Sequence, residues 1–125
     1  MKKLLAIIFV FFFICPILAD NWKQAQKDQD EYLAMRAKSQ ELFAAKEYEK
    51  YSALMLKISQ CAHGKRFLGV HAWGLNNAGY GYLLAGKPCE AIYVLEKAIA
   101  VDYANAEWRK IVRRNYSCAE ISCKK

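Results

Sequence analysis

The chain has 125 residues, with 19 basic side chains against 12 acidic ones and five cysteines. That length suits one small domain, and a net charge of +7 favours acidic partners or anionic surfaces. No dense basic stripe with interleaved aromatics is present, which argues against nucleic acid. No motif sets a nucleophile beside a base, which argues against an enzyme.

The amino terminus is "MKK", then the apolar run "LLAIIFVFFFICPIL", then Ala19 before the polar "DNWKQ". That is the three-part layout of a secretory signal peptide over residues 1–19, cut after Ala19, and it implies a periplasmic or secreted protein. Fifteen apolar residues fall short of the about 20 that cross a bilayer. An uncut segment would be a membrane anchor, the one membrane contact the sequence offers. Lipidation of Cys15 is disfavoured, because "FFI" before it lacks the expected small residue. The short lysine-rich start resembles bacterial signals. Removing residues 1–19 takes away Lys2 and Lys3, so the remaining 106 residues carry a net charge of +5.

From Asn21 to Ala45 there is no proline or glycine. Leu33, Arg36/Ala37, Gln40 and Phe43/Ala44 recur at helical spacing, with Tyr32, Met35 and Leu42 adding apolar surface. The polar "DNWKQAQKDQDE" before them reads as a frayed lead-in. A second helix is predicted over 47–59, with Tyr48, Tyr51, Leu54, Met55 and Ile58 facing inward, and "QCAHGKR" then breaks the pattern. A third covers 67–85, and "GKP" follows, with Gly86 as helix end and Pro88 as helix start. The fourth runs over 88–101 and the fifth over 105–116, leaving a cysteine-bearing tail. Short turns between such helices imply antiparallel hairpins, here 32–59 and 67–102. A shift of forty residues sets Leu42-Phe43-Ala44-Ala45 on Tyr82-Leu83-Leu84-Ala85, Met55 on Leu95 and Lys57 on Lys97.

Over 72–105 the second unit resembles a tetratricopeptide repeat. Leu75 stands for that family's tryptophan, Ala78-Gly79 for its Leu-Gly pair, and Tyr82 for its tyrosine. Ala91 matches the first alanine of the second helix, Leu95 stands for the phenylalanine, and Ala98 matches a further small position. Tyr103 departs from the closing proline. The first unit matches less well: Lys38-Ser39 and Tyr51 stand at small-residue positions, and the offset of forty exceeds the family's unit, an excess assigned to "SQCAHGKRFLGV". The resemblance implies an all-α, right-handed solenoid of stacked antiparallel hairpins, about two and a half repeats long. It gives Gly79 a packing role beside Ala78, Ala91 and Ala98, while Gly81 has no match in the pattern.

The resemblance also implies a concave face, lined by the first helix of each hairpin, that holds an extended peptide or a partner helix. Carried over, its residues are Arg36 and Gln40 in the first unit, Asn76 and Tyr80 in the second, and Lys110 and Arg114 in the third. Asn77 takes the place of an asparagine that bonds ligand backbone. The expectation is a non-catalytic protein–protein interaction module for an acidic segment. The alternative is a self-associating structural subunit of an envelope complex. "RKIVRR" also reads simply as a solvated basic face near a helix end. With Cys15 removed, Cys61, Cys89, Cys118 and Cys123 allow up to two disulfides in three pairings. In stacked hairpins Cys89 and Cys118 fall at one end, so Cys89 is expected to pair with Cys118 or Cys123. Cys61 lies at the opposite end, about 20 Å away, and needs a connection or the tail to bend back. Cys61, His63 and His71 match no recognised zinc spacing, and C-x4-C lacks the spacing of a catalytic dithiol. Neither metal nor cofactor is expected.

Overall fold

Two turns of the same construction double the chain back on itself. In the computed structural model the backbone is described for residues 2–125 and side chains for 18–125. The side chains of the expected signal segment up to residue 17 therefore lie outside the described residues. The elements are α1 (Lys2–Ala44), α2 (Tyr48–Gln60), α3 (Ala62–Arg66), α4 (Leu68–Leu84), α5 (Pro88–Ile99) and α6 (Ala106–Cys123). At the α1–α2 turn Lys46 adopts a left-handed φ of 59°. The N–H groups of Lys46 and Glu47 donate back to the carbonyls of Phe43 (3.0 Å) and Leu42 (2.9 Å). At the α4–α5 turn Gly86 has φ 74°, and Gly86 and Lys87 donate to Leu83 (3.1 Å) and Tyr82 (2.8 Å). Each turn thus satisfies the last orphan carbonyls of its first helix in the same way. The correspondence at an offset of forty residues is a correspondence of backbone.

The glycines of α4 follow from how closely α2 lies against it. Ser52 and Ser59 are buried on α2, and Gly74, Ala78 and Gly81 on α4. The Ser52 hydroxyl donates to the Ala78 carbonyl at 2.7 Å, a contact that needs the two backbones almost touching. A Cβ at Gly81 would collide with the Ser52 hydroxyl and come within 2.8 Å of the Tyr51 ring, and one at Gly74 would sit 2.8 Å from Ser59 Cβ. Gly81, without a match in the repeat pattern, is thereby explained. On the other side of α4, a Cβ at Gly79 would lie 2.5 Å from the Leu95 side chain, so Gly79 makes room for α5. Glycine in a helix interior costs about 0.5–1 kcal/mol relative to alanine, and close approach of two neighbours offsets it here.

Ala91, Leu95 and Ala98 of α5 and Trp108 and Val112 of α6 complete the core. Asn105 caps α6 by accepting from the Trp108 N–H at 2.9 Å. Two buried polar contacts then hold α6 on α4: Trp108 Nε1 donates to the Ala72 carbonyl at 3.1 Å, and Asn115 Nδ2 to Asn76 Oδ1 at 3.1 Å. Cys89 and Cys123 form a disulfide, with Cα atoms 5.0 Å apart, joining the start of α5 to the end of α6.

Several expectations change at this level. The polar lead-in is continuous helix within α1, tied by Gln24 to Asp28 (2.9 Å) and by Asp28 to Arg66 of α3 (3.8 Å). The inward residues of α1 are Asp28, Tyr32, Met35, Ser39 and Leu42, whereas Leu33 is exposed. The break after α2 contains a helical turn, α3, whose first residues are capped by the Cys61 sulfur accepting from Gly64 N–H. α6 runs to Cys123 rather than ending at Tyr116, because Asn115 and Ala119 continue its buried face. Cys118 is left as an exposed thiol: five residues before Cys123 it points about 140° around the helix from it. Cys61 is also unbridged, with its thiol donating to the Ile58 carbonyl at 3.1 Å. Among the described residues there is no strand, and no helix is long and apolar enough to cross a membrane.

Candidate functional site

α1 touches α2 and α3 but leaves a gap toward α4, and α2 forms the floor of that gap. The result is a groove of roughly 690 Å³. Its floor is Tyr51, Met55 and Ile58, spaced at i, i+4 and i+7 on α2. One wall carries Tyr32, Arg36, Gln40 and Phe43 from α1. The other carries Gly69, Trp73, Asn77 and Tyr80, a single face of α4. Between Gly69 and Tyr80 that wall is about 17 Å long at the helical rise of 1.5 Å per residue.

Aromatic rings close one end. Phe43 meets Tyr48 and Tyr51 edge-on, with centroids 5.4 and 5.1 Å apart, and faces Tyr80 across the groove at 6.5 Å. Phe43 and Tyr80 nonetheless stay more than a third exposed, so ring surface is presented to whatever enters. Burial pushes the Tyr51 phenol above its ordinary value, and the neighbouring Tyr80 adds to the rise. The floor therefore remains neutral through and beyond physiological pH. Among the described residues Arg36 is the groove's one charged side chain. Its own carbonyl accepts from Ser39 Oγ at 2.6 Å, but among the described residues its guanidinium makes no ion pair.

No protein-family model matches the chain, and neither a curated protein nor a solved structure is significantly similar to it. The geometry alone must carry the assignment.

Of the residues proposed from sequence, Arg36, Gln40, Asn77 and Tyr80 come together in the groove. Asn76 does not: it is 2% exposed and accepts from Asn115, where it holds α6 in place. One residue is a rotation of about 100°, enough to exchange a lining position for a core one. Lys110 and Arg114 are exposed on α6 and are not lining residues of the groove. Trp73, Tyr32, Phe43 and Tyr51 belong to the site although sequence reading left them out of it. The signal for α4 was present, since Gly69, Trp73, Asn77 and Tyr80 share one helical face.

His63 and His71 have ordinary structural surroundings. The Nδ1 of His71 lies 2.7 Å from the Ser59 carbonyl, where a protonated nitrogen satisfies a last-turn carbonyl of α2. His63 stacks on Tyr32 and meets Phe67, each with centroids 4.5 Å away. Among the described residues, no three His, Cys, Asp or Glu side chains gather where they could hold a metal ion.

Proposed function

We propose that the protein is an exported, non-catalytic interaction module that holds an extended, acidic peptide segment of a partner in the groove between α1, α2 and α4. The observation that carries this reading is the lining itself: five aromatic side chains around one guanidinium and two side-chain amides. Aromatic rings supply apolar contact with little loss of side-chain freedom, and a guanidinium takes a carboxylate bidentately. Gln40 and Asn77 stand on opposite walls and, among the described residues, have no side-chain hydrogen-bond partner. Amides so placed complement a backbone whose own N–H and C=O groups are unsatisfied, as in an extended chain. A helix has those groups bonded internally and offers none of them to the two amides. At about 3.3 Å per residue, a wall about 17 Å long accommodates about five extended residues.

Export to a bacterial periplasm or the cell exterior is supported by the basic-then-apolar amino terminus and by the Cys89–Cys123 bond, which persists in oxidising compartments. The tetratricopeptide-like reading draws support from the repeated turn and from the small residues at Ala78, Gly79, Ala91 and Ala98.

The test is a peptide array in which each short sequence pairs one aromatic or branched apolar residue with one or two carboxylates. The oxidised chain is expected to bind a subset of them. Arg36→Glu and Trp73→Ala should each weaken that binding tenfold or more, while Lys110→Glu leaves it within about twofold. No binding anywhere on the array, or binding indifferent to Arg36 and Trp73, would overturn the assignment.

A further inference from the structure

A second concave surface lies away from the groove, between α2 and α5, and it leads to a different partner. It is lined by Leu56 of α2, Tyr82 of α4, and Glu90, Tyr93, Val94 and Lys97 of α5. Tyr93 stands at its rim with 63% of its surface exposed. Glu90, Tyr93 and Lys97 occupy positions i, i+3 and i+7, so they form one stripe along α5. Lys97 extends over the Tyr93 ring, with Nζ 4.4 Å from its centroid. Neither Glu90 nor Lys97 forms an ion pair among the described residues.

The stripe reads acid, aromatic, base, and that order is complementary to itself reversed. We infer that α5 packs antiparallel on α5 of a second copy of this chain about a two-fold axis near Tyr93. Glu90 then faces Lys97 of the second copy, and Lys97 faces its Glu90. The Tyr93 rings meet near the axis, beside the hollow formed by Leu56, Tyr82 and Val94. A two-fold contact uses one surface patch twice, so each favourable pair occurs twice. Opposite charges fix the register and the antiparallel sense, while like charges brought together would disfavour the parallel one. The Cys89–Cys123 bond adjoins the stripe and ties the first turn of α5 to α6, which holds the surface in one orientation. None of the stripe residues lines the groove, so this contact neither needs nor precludes peptide binding there.

Sedimentation equilibrium of the oxidised full-length chain over a concentration series provides the test. All proteins compared share the same amino terminus, and circular dichroism establishes that each is folded. The wild-type chain is expected to show a monomer–dimer equilibrium that weakens with salt. Glu90→Lys and Lys97→Glu should each raise the dissociation constant at least tenfold, since each sets two like-charged pairs across the contact. The double exchange should restore the dimer, and an equimolar mixture of the two single variants should associate although neither does alone. A monomer at every concentration would overturn the inference. So would single variants that dimerise like the wild type, or a double variant and mixture that fail to recover. Peptide-array binding, measured on the same samples, reports the groove separately.

Discussion

The α4–α6 half of the molecule buries Leu75, Ala91, Leu95, Trp108 and Val112 almost completely, whereas the described part of α1 buries one hydrophobic side chain, Leu42, beside Asp28 and Ser39. The first half is a close-packed core with its own internal staples: two buried polar contacts from α6 to α4, and a disulfide from α6 to α5. The second is a helix laid over α2 and α3, with its aromatic side chains shared between the contact and an open groove. The contrast teaches where the groove comes from. A wall that packed against α4 as tightly as α5 does would leave no groove, so the groove lies along the part of the molecule that buries the least apolar surface.

Substitutions can break that contrast or sharpen it. Leu95→Ala should be the most damaging: Leu95 is fully buried against Gly79, and a cavity there costs about 3–5 kcal/mol, seen as a large fall in the urea midpoint. Replacing Cys89 and Cys123 together by serine removes a link between residues 34 positions apart, worth about 3–4 kcal/mol through the entropy of the unfolded chain. A comparison of oxidised and reduced wild type should give a similar difference. Leu42→Ala should cost about 2 kcal/mol, less than Leu95→Ala, because the site lies outside the main core. Equal losses at Leu42 and Leu95 would contradict the division into two halves. Lys46→Gly should stabilise the protein by about 1 kcal/mol, since a lysine at φ 59° occupies a conformation that glycine adopts without strain. The melting temperature measures it, and a loss would mean that the Lys46 side chain contributes something the turn does not reveal.

Much of this architecture can be read from sequence because it is written in local rules. The hairpin 67–102 announces itself through Gly86 and Pro88, and the shift by forty residues locates the turn of the other hairpin at Lys46, although no glycine marks it. Gly79 was legible as a close-packing residue. Gly81 was not, because its reason is a serine on another helix, Ser52, whose burial no periodicity predicts. The same holds for α3, which depends on a sulfur cap from Cys61 and a long-range ion pair between Arg66 and Asp28.

The site was legible in part and for a definite reason. Arg36, Gln40, Asn77 and Tyr80, named from the repeat pattern, line one groove. Asn76 shows the limit: adjacent asparagines are chemically identical, and only the position of Asn115 on α6 decides which one is buried. Lys110 and Arg114 show another, since the facing of α6 follows from where Trp108, Val112 and Asn115 dock and not from charge. The pairing of Cys89 with Cys123 rather than Cys118 has the same origin. α6 had to continue beyond Tyr116 before Cys123 could reach the start of α5.

Native-state hydrogen exchange on the oxidised chain tests the central claim most directly. The account predicts that amides of α1 between residues 20 and 40 exchange through local opening, well before those of α4, α5 and α6, which exchange only on global unfolding. Uniform protection across α1 and the α4–α6 core would contradict it, because the groove would then have no separable wall.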